Sequence, residues 1–231
     1  MPAPRYALYY TPLPDSPLAQ FGAGVLGYDC FHRDAVPHRT INGIDPAVLK
    51  LITTAPRCYG FHATLVAPFH LDQRSEEDLV AELNRLAKCR RVVPIGPLAV
   101  ATLNGFAVLQ PAAQPAPLEE LADACLESFD AFHATLSAAD RQRRMATGLS
   151  PRQAELLDRW GFPYVLDEFR FHMTLAGPIP VGEMECITRP LSAAFDPMAS
   201  DQVEIDAISL MRQDDRSSHF HVIERRRLTG R

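Results

Sequence analysis

Phe61-His62-Ala63-Thr64-Leu65-Val66-Ala67-Pro68 returns 110 residues later as Phe171-His172-Met173-Thr174-Leu175-Ala176-Gly177-Pro178, with five of eight positions identical. Both copies alternate apolar and polar residues at the start, over a length suited to a strand. Successive side chains on a strand face opposite ways. Phe61, Ala63 and Leu65 therefore share one face, and His62 and Thr64 the other. Phe171, Met173 and Leu175 oppose His172 and Thr174 in the same way. Each strand is expected to anchor in a core by its apolar face and to present an imidazole and a hydroxyl to a cleft.

One His-x-Thr triplet carries little weight. His133-Ala134-Thr135 is another, and it falls in a stretch that reads as a long helix through Leu118, Leu121, Cys125, Phe129, Phe132 and Leu136. Helical residues two apart point about 200° apart, so that triplet is taken as coincidence, with His133 on a helix surface. The pair at 62 and 172 differs because the whole frame repeats. Two core histidines copied by duplication are the plainer alternative. A polar stripe opposite a full apolar one argues instead for a cleft.

The rest of the chain supports a duplicated α+β fold. The 231 residues are 47% hydrophobic and 22% charged, an ordinary balance for a folded domain. Arg5–Thr11 reads as a first strand. Ser16-Pro17, Asp45-Pro46 and Ser150-Pro151 each pair an N-cap with proline at the first helical position. Ser75 with Asp78 resembles a capping box and opens an amphipathic helix. Asn104-Gly105 marks a hairpin between 98–103 and 106–110. Pro68 and Pro190 are expected to stop a strand and to kink a helix. Residues 203–211 and 219–226 read as a final hairpin. Both halves thus run histidine strand, helix, hairpin. One domain over 1–231 is expected, with halves of roughly 1–112 and 113–231 and Pro111–Pro117 as the link. Its two lobes of mostly antiparallel sheet, with outer helices, would interleave about a pseudo-twofold axis and flank a central cleft.

The net charge of −5 and the absence of a long basic run argue against a grip on long nucleic acid. Five scattered cysteines without C-x-x-C spacing suggest a reducing, cytoplasmic setting. The opening Met1-Pro2-Ala3-Pro4-Arg5-Tyr6 lacks a signal-peptide core, and no run is long enough to span a membrane. The sequence leaves the oligomeric state open, and a monomer is compatible with it.

Two imidazoles facing one cleft suit displacement at phosphorus. A neutral ring takes a proton from water, a charged ring gives one to the leaving oxygen, and threonine hydroxyls donate to the non-bridging oxygens. No Asp/Glu cluster accompanies the motif, so neither metal nor other cofactor is expected. The paired His-x-Thr strands resemble the two-histidine (2H) phosphoesterase superfamily. Arg5–Pro12 (RYALYYTP), Arg57–Phe69 (RCYGFHATLVAPF), Gly148–Val165 (GLSPRQAELLDRWGFPYV) and Phe169–Pro178 (FRFHMTLAGP) are similar to its branch of phosphonate-metabolism proteins, often encoded beside carbon–phosphorus lyase genes. The resemblance implies a bilobed fold and metal-independent action on a cyclic or related small phosphodiester. It also implies catalytic roles for His62, Thr64, His172 and Thr174. A protein that binds a phosphorylated metabolite or an RNA end without turnover is the alternative.

Tyr9, Tyr10, Arg57, Tyr59, Arg170 and Arg212 are further candidates for contact with substrate, Arg being suited to bidentate phosphate contact. Alternation on the first strand allows only one of Tyr9 and Tyr10 to line the cleft. Arg141, Arg143 and Arg144 are read as a solvated helix end. His219 and His221 share a strand face but lack an evident third ligand for zinc.

Overall fold

The computed structural model describes residues 3–230; Met1 and Pro2, which open the N-terminal stretch read above, and Arg231 lie outside them. The chain runs β1 (Arg5–Tyr10), α1 (Pro17–Leu26), β2 (Tyr28–Asp29), β3 (Asp34–Ala35), α2 (Pro46–Ile52), α3 (Thr54–Arg57), β4 (Ala63–Phe69) and α4 (Glu76–Cys89). It continues through β5 (Val93–Gly96), β6 (Leu98–Leu103), β7 (Phe106–Pro111), α5 (Ala116–Phe129), α6 (Ala138–Met145) and α7 (Pro151–Trp160). It ends with β8 (Met173–Ala176), α8 (Met184–Phe195), β9 (Val203–Ile205), β10 (Ala207–Gln213) and β11 (His221–Arg227). The architecture is α+β.

Local chemistry sets most of these boundaries. Ser16, Asp45 and Ser150 accept from backbone N–H groups of the first turns of α1, α2 and α7, each with proline at the helix start. Ser75 and Asp78 close a reciprocal capping box on α4, the shorter carboxylate still reaching the cap N–H. Asn104 and Gly105 both take positive φ, 48° and 81°, as a two-residue hairpin turn requires. Pro190 lies inside α8 without dividing it. The link between halves is shorter than the proline-rich stretch, since Pro111 ends β7 and α5 begins at Ala116.

Seven strands form one antiparallel sheet in the order β11-β10-β1-β4-β8-β7-β6. The two histidine strands are neighbours at its centre, paired at Ala63 and Met173. The hairpins are exchanged. β6–β7, which follows the first histidine strand in sequence, flanks the second, and β10–β11 flanks the first through β1. Each half of the sheet therefore mixes both halves of the sequence.

One face of the sheet carries the main core. Leu8, Phe61, Ala63, Leu65, Met173 and Leu175 pack there with Leu79, Leu83, Cys125, Leu191 and other residues of α4, α5 and α8. The opposite face holds a smaller layer of Ala7, Tyr9, Tyr28, Cys30, Met211 and Phe220, with Tyr59 beside it. A sheet whose one face lacks a helical cover leaves room there for a cleft.

Three local expectations are corrected. Pro68 does not end the first histidine strand, which runs on to Phe69. Only Ala7 stands between Tyr6, the partner of Phe69, and Leu8, the partner of Val66, so Ala67 and Pro68 sit in a bulge. A bulge spares proline the ladder bond it cannot donate. The long helix stops at Phe129, followed by one 3-10 turn, so His133 is not on a helix surface. Its ring lies against Phe69 at 4.0 Å and its Nε2 is buried without a partner. The stretch from 203 to 211 is two strands, because Asp206 breaks it and β9 pairs with β5 instead.

Candidate active site

The pairing of Ala63 with Met173 fixes how the motifs meet. In that antiparallel register His62 stands opposite Thr174, and Thr64 opposite His172. All four side chains rise from the cleft face, each histidine across from the other strand's threonine. The four predicted catalytic residues are thus brought together.

Both rings are held alike. His62 Nδ1 lies 2.9 Å from the Gly60 carbonyl, and His172 Nδ1 lies 2.8 Å from the Arg170 carbonyl. A carbonyl only accepts, so each Nδ1 carries the proton and each neutral ring presents Nε2 as its lone pair. His62 Nε2 is 3.3 Å from Thr64 Oγ1. The His62 ring stacks on Tyr9 with centroids 3.7 Å apart. Gly60 is required where it stands: its φ is +71°, and a Cβ there would meet Cys30 Cβ at 2.7 Å.

Burial lowers the pKa of His62 to about 4, the Gly60 hydrogen bond opposes this, and His172 nearby lowers it further. His172 is also lowered by burial, against the Arg170 hydrogen bond. Both rings are therefore neutral at pH 7.

The secondary candidates separate by sheet face. Tyr9 is on the cleft face but only 1% exposed, so it is a platform under His62 rather than an open contact. Tyr10 points the other way and packs against Phe171 at 6.2 Å, which removes it from the site. Tyr59 is half-buried at the cleft, stacked on Phe220 at 5.5 Å and 6.3 Å from the His62 ring. Arg57 is spent inside the scaffold. Its Nε donates to Leu26 O at 2.6 Å, and its Nη2 reaches His38 Nε2 at 2.9 Å and Thr53 Oγ1 at 3.1 Å. That His38 belongs to a further His-x-Thr triplet, His38-Arg39-Thr40, which serves only this helix-end network. Arg170 folds onto the carbonyls of Asp167 and Phe169, and it serves the site through its own carbonyl. Arg212 is paired in register with Tyr6, on the core face, and bonds Glu76 at 2.9 Å. Arg57 and Arg212 are therefore committed to partners away from the His/Thr face.

His219 lies against Tyr28 at 4.6 Å and His221 is buried in β11. Among the described residues no group of three or more His, Cys, Asp or Glu side chains is placed to hold a metal ion. No helix is long and apolar enough to cross a membrane.

This chain belongs to the DUF1045 family. The family is described as a protein of unknown function (DUF1045), and its model matches residues 64–221, from the first motif's threonine to the start of β11. The chain is 35% identical over 218 residues to a protein of Janthinobacterium sp. (strain Marseille) named ribose 1,5-bisphosphate phosphokinase PhnN, covering 91% of this chain and 48% of that one. It is 40% identical over 197 residues to a protein of the same name from Laribacter hongkongensis (strain HLHK9), covering 83% and 44%. The chain thus spans about half the length of the curated relatives it matches. Among solved structures, TT0787 of Thermus thermophilus aligns at a TM-score of 0.44 and 15% identity over 98% of both chains. E. coli LigT complexed with 3′-AMP aligns at 0.42 and 14% over 99% of both. At these scores the functional reading rests on this chain's own residues.

Proposed function

We propose that this chain is a metal-independent phosphodiesterase that opens a cyclic phosphate or related small phosphodiester. The observation that carries the reading is the convergence of two His/Thr pairs on one sheet face, both histidines having Nδ1 fixed by a main-chain carbonyl. Pure anion binding needs donors, whereas two neutral rings offering lone pairs suit proton transfer.

His62, with its pKa near 4, is neutral over most of the working range and takes the proton from the attacking water. His172 is the acid. The negative diester between the rings raises its proton affinity, and it protonates the leaving oxygen. The water oxygen bonds to phosphorus as the ester P–O bond breaks, giving a phosphomonoester and a free hydroxyl. Thr64 and Thr174 donate to the non-bridging oxygens and hold phosphorus between the rings.

A ribose cyclic phosphate is the substrate class favoured here. The relatives' name describes a kinase acting on a ribose bisphosphate, and this chain accounts for only part of their length. A hydrolase that frees a ribose phosphate ester from its cyclic form would supply such a kinase. The similarity to phosphonate-metabolism proteins points the same way.

The test is a screen of cyclic ribose phosphates, 2′,3′-cyclic nucleotides and 2′,5′-linked oligonucleotides, followed by phosphorus NMR. His62→Ala and His172→Ala should each lower turnover by at least about 10²-fold with melting behaviour retained. Wild-type turnover in either variant would end the two-histidine mechanism. Tight binding of a cyclic phosphate with no product would favour the non-catalytic alternative.

A further inference from the structure

From Val66, two residues past Thr64, a cavity of about 390 Å³ opens along β4 towards α6 and α7. Five arginines line it: Arg5, Arg143, Arg144, Arg159 and Arg216. Three are neutralised there. Arg143 pairs with Asp140 at 2.6 Å, Arg216 with the same carboxylate at 3.6 Å, and Arg159 with Asp130 at 2.8 Å. The remaining acid of the lining, Asp158, is taken by Arg141 at 2.6 Å.

Arg5 and Arg144 are built differently. Among the described residues neither forms an ion pair. Each is oriented instead by a neutral acceptor and an aromatic ring. Arg5 Nε donates to Gln213 Oε1 at 2.9 Å, and its guanidinium lies 5.4 Å from the Phe220 ring centre. Gln213 is 3% exposed and is itself aimed by its Nε2, which donates to Ser218 O at 2.8 Å. Arg144 Nη1 donates to Gly161 O at 2.8 Å, and its guanidinium lies 5.4 Å from the Phe162 ring centre. Both guanidiniums line this one cavity; burial and Arg143 work against the charge of Arg144, and Asp140, already paired with Arg143, supports it. Holding two like charges together with amides rather than carboxylates fixes their geometry and leaves their charge unspent. An anion with several acceptor oxygens completes such a pair.

A short path joins this pair to the histidines. His62 stacks on Tyr9 at 3.7 Å, Tyr9 lies 6.1 Å from Phe220, and Phe220 carries Arg5 at 5.4 Å. These contacts put Arg5 on the same sheet face as His62, so a ligand carrying two separated phosphates, and not inorganic phosphate, can engage both. We infer that Arg5 and Arg144 form a second phosphate subsite, so that the substrate carries a terminal phosphomonoester besides the diester placed at His62 and His172. This inference rests on the phosphodiesterase reading of the histidine site.

Two ribose cyclic phosphates, one bearing and one lacking a phosphate on C5, test it. Wild type should prefer the phosphorylated one in kcat/KM by about 10- to 100-fold, the range of one or two charge-assisted contacts. Arg5→Gln and Arg144→Gln should remove most of that preference, and Arg144→Lys should restore part of it, with melting temperatures as the folding control. Equal rates on the two compounds in wild type, or equal losses on both in the variants, would overturn the subsite and leave the diesterase intact. If neither compound is hydrolysed, ribose cyclic phosphates are not the substrate, and calorimetry with ribose 5-phosphate against ribose decides the subsite. Phosphate-dependent binding weakened by Arg5→Gln and Arg144→Gln supports it; binding that is absent or unchanged in the variants refutes it.

Discussion

Ala63 pairs with Met173 at the centre of the sheet, and by that step two strands 110 residues apart set His62 and His172 on one face. Neither strand reaches the site by its own hairpin. The chemistry depends on a contact between halves of the chain.

The protonation order predicts an acid-shifted profile. In the free protein the productive form has His62 neutral, above about pH 4, and His172 protonated, below its own lowered value. kcat/KM reports the free protein and should peak between about pH 4 and 6.5. kcat should peak at higher pH, because a bound anionic diester raises His172. Stopped-assay rates at closely spaced pH values check this. A kcat/KM maximum above pH 8 would contradict it.

Gly60 ties backbone geometry to ring placement. Gly60→Ala forces a Cβ onto Cys30 and strains a φ of +71°. The carbonyl that holds His62 Nδ1 must then move. Loss of stability should be about 1–3 kcal/mol, accompanied by a fall in kcat larger than any change in KM. Urea unfolding and steady-state kinetics separate the two effects, and unchanged kcat would show that the carbonyl does not position the ring.

His133, in the wall of the cavity that holds Arg5 and Arg144, has a pH signature in stability. Burial lowers its pKa to about 4, so the unfolded chain binds the proton more readily between pH 6.5 and 4. Its cost to the fold is therefore small above pH 6.5 and grows as pH falls through that window. His133→Phe keeps a ring against Phe69 and removes the unpartnered nitrogen. It should stabilise the protein by up to about 2 kcal/mol at pH 5, and by less at pH 8. Denaturation at the two pH values measures the difference. An equal gain at both would disprove the linkage.

Arg57 distinguishes scaffold from site. Arg57→Met removes donors to Leu26 O, His38 and Thr53. It should lower stability by about 1–3 kcal/mol and leave KM for a phosphodiester within a few-fold. A large rise in KM at full stability would return Arg57 to the cleft.

Much of the fold was legible because it is written in neighbouring residues. Ser16-Pro17, Ser75 with Asp78, and Asn104-Gly105 specify caps and a turn by contacts within four positions. The His/Thr frame was legible because alternation on a strand has one outcome. Partner choice was not. The repeat leads to interleaved lobes, but which hairpin flanks which histidine strand is seen only in the sheet. Pairing of that kind is decided by packing across the chain. The arginines failed for a related reason. Arg57 flanks the first motif in sequence, but its long side chain reaches back under two helix ends. Arg212 is removed by strand register. Arg144 reads in sequence as part of a solvated helix end and Arg5 gives no signal, since a guanidinium held by an amide looks there like any surface charge.

The exchanged hairpins also govern when the protein comes into being during synthesis. β1 lies between β4 and β10, and β10 is made about two hundred residues after it. The His62 platform on β1 thus waits for the C-terminal hairpin to close the sheet beside it. Non-local pairing of this kind is slow and leaves strand edges bare in the meantime. A nascent chain that has not yet made β10 and β11 holds both histidines and has no finished floor beneath them. Until that hairpin arrives, the open edge of β1 can pair with any other strand it meets.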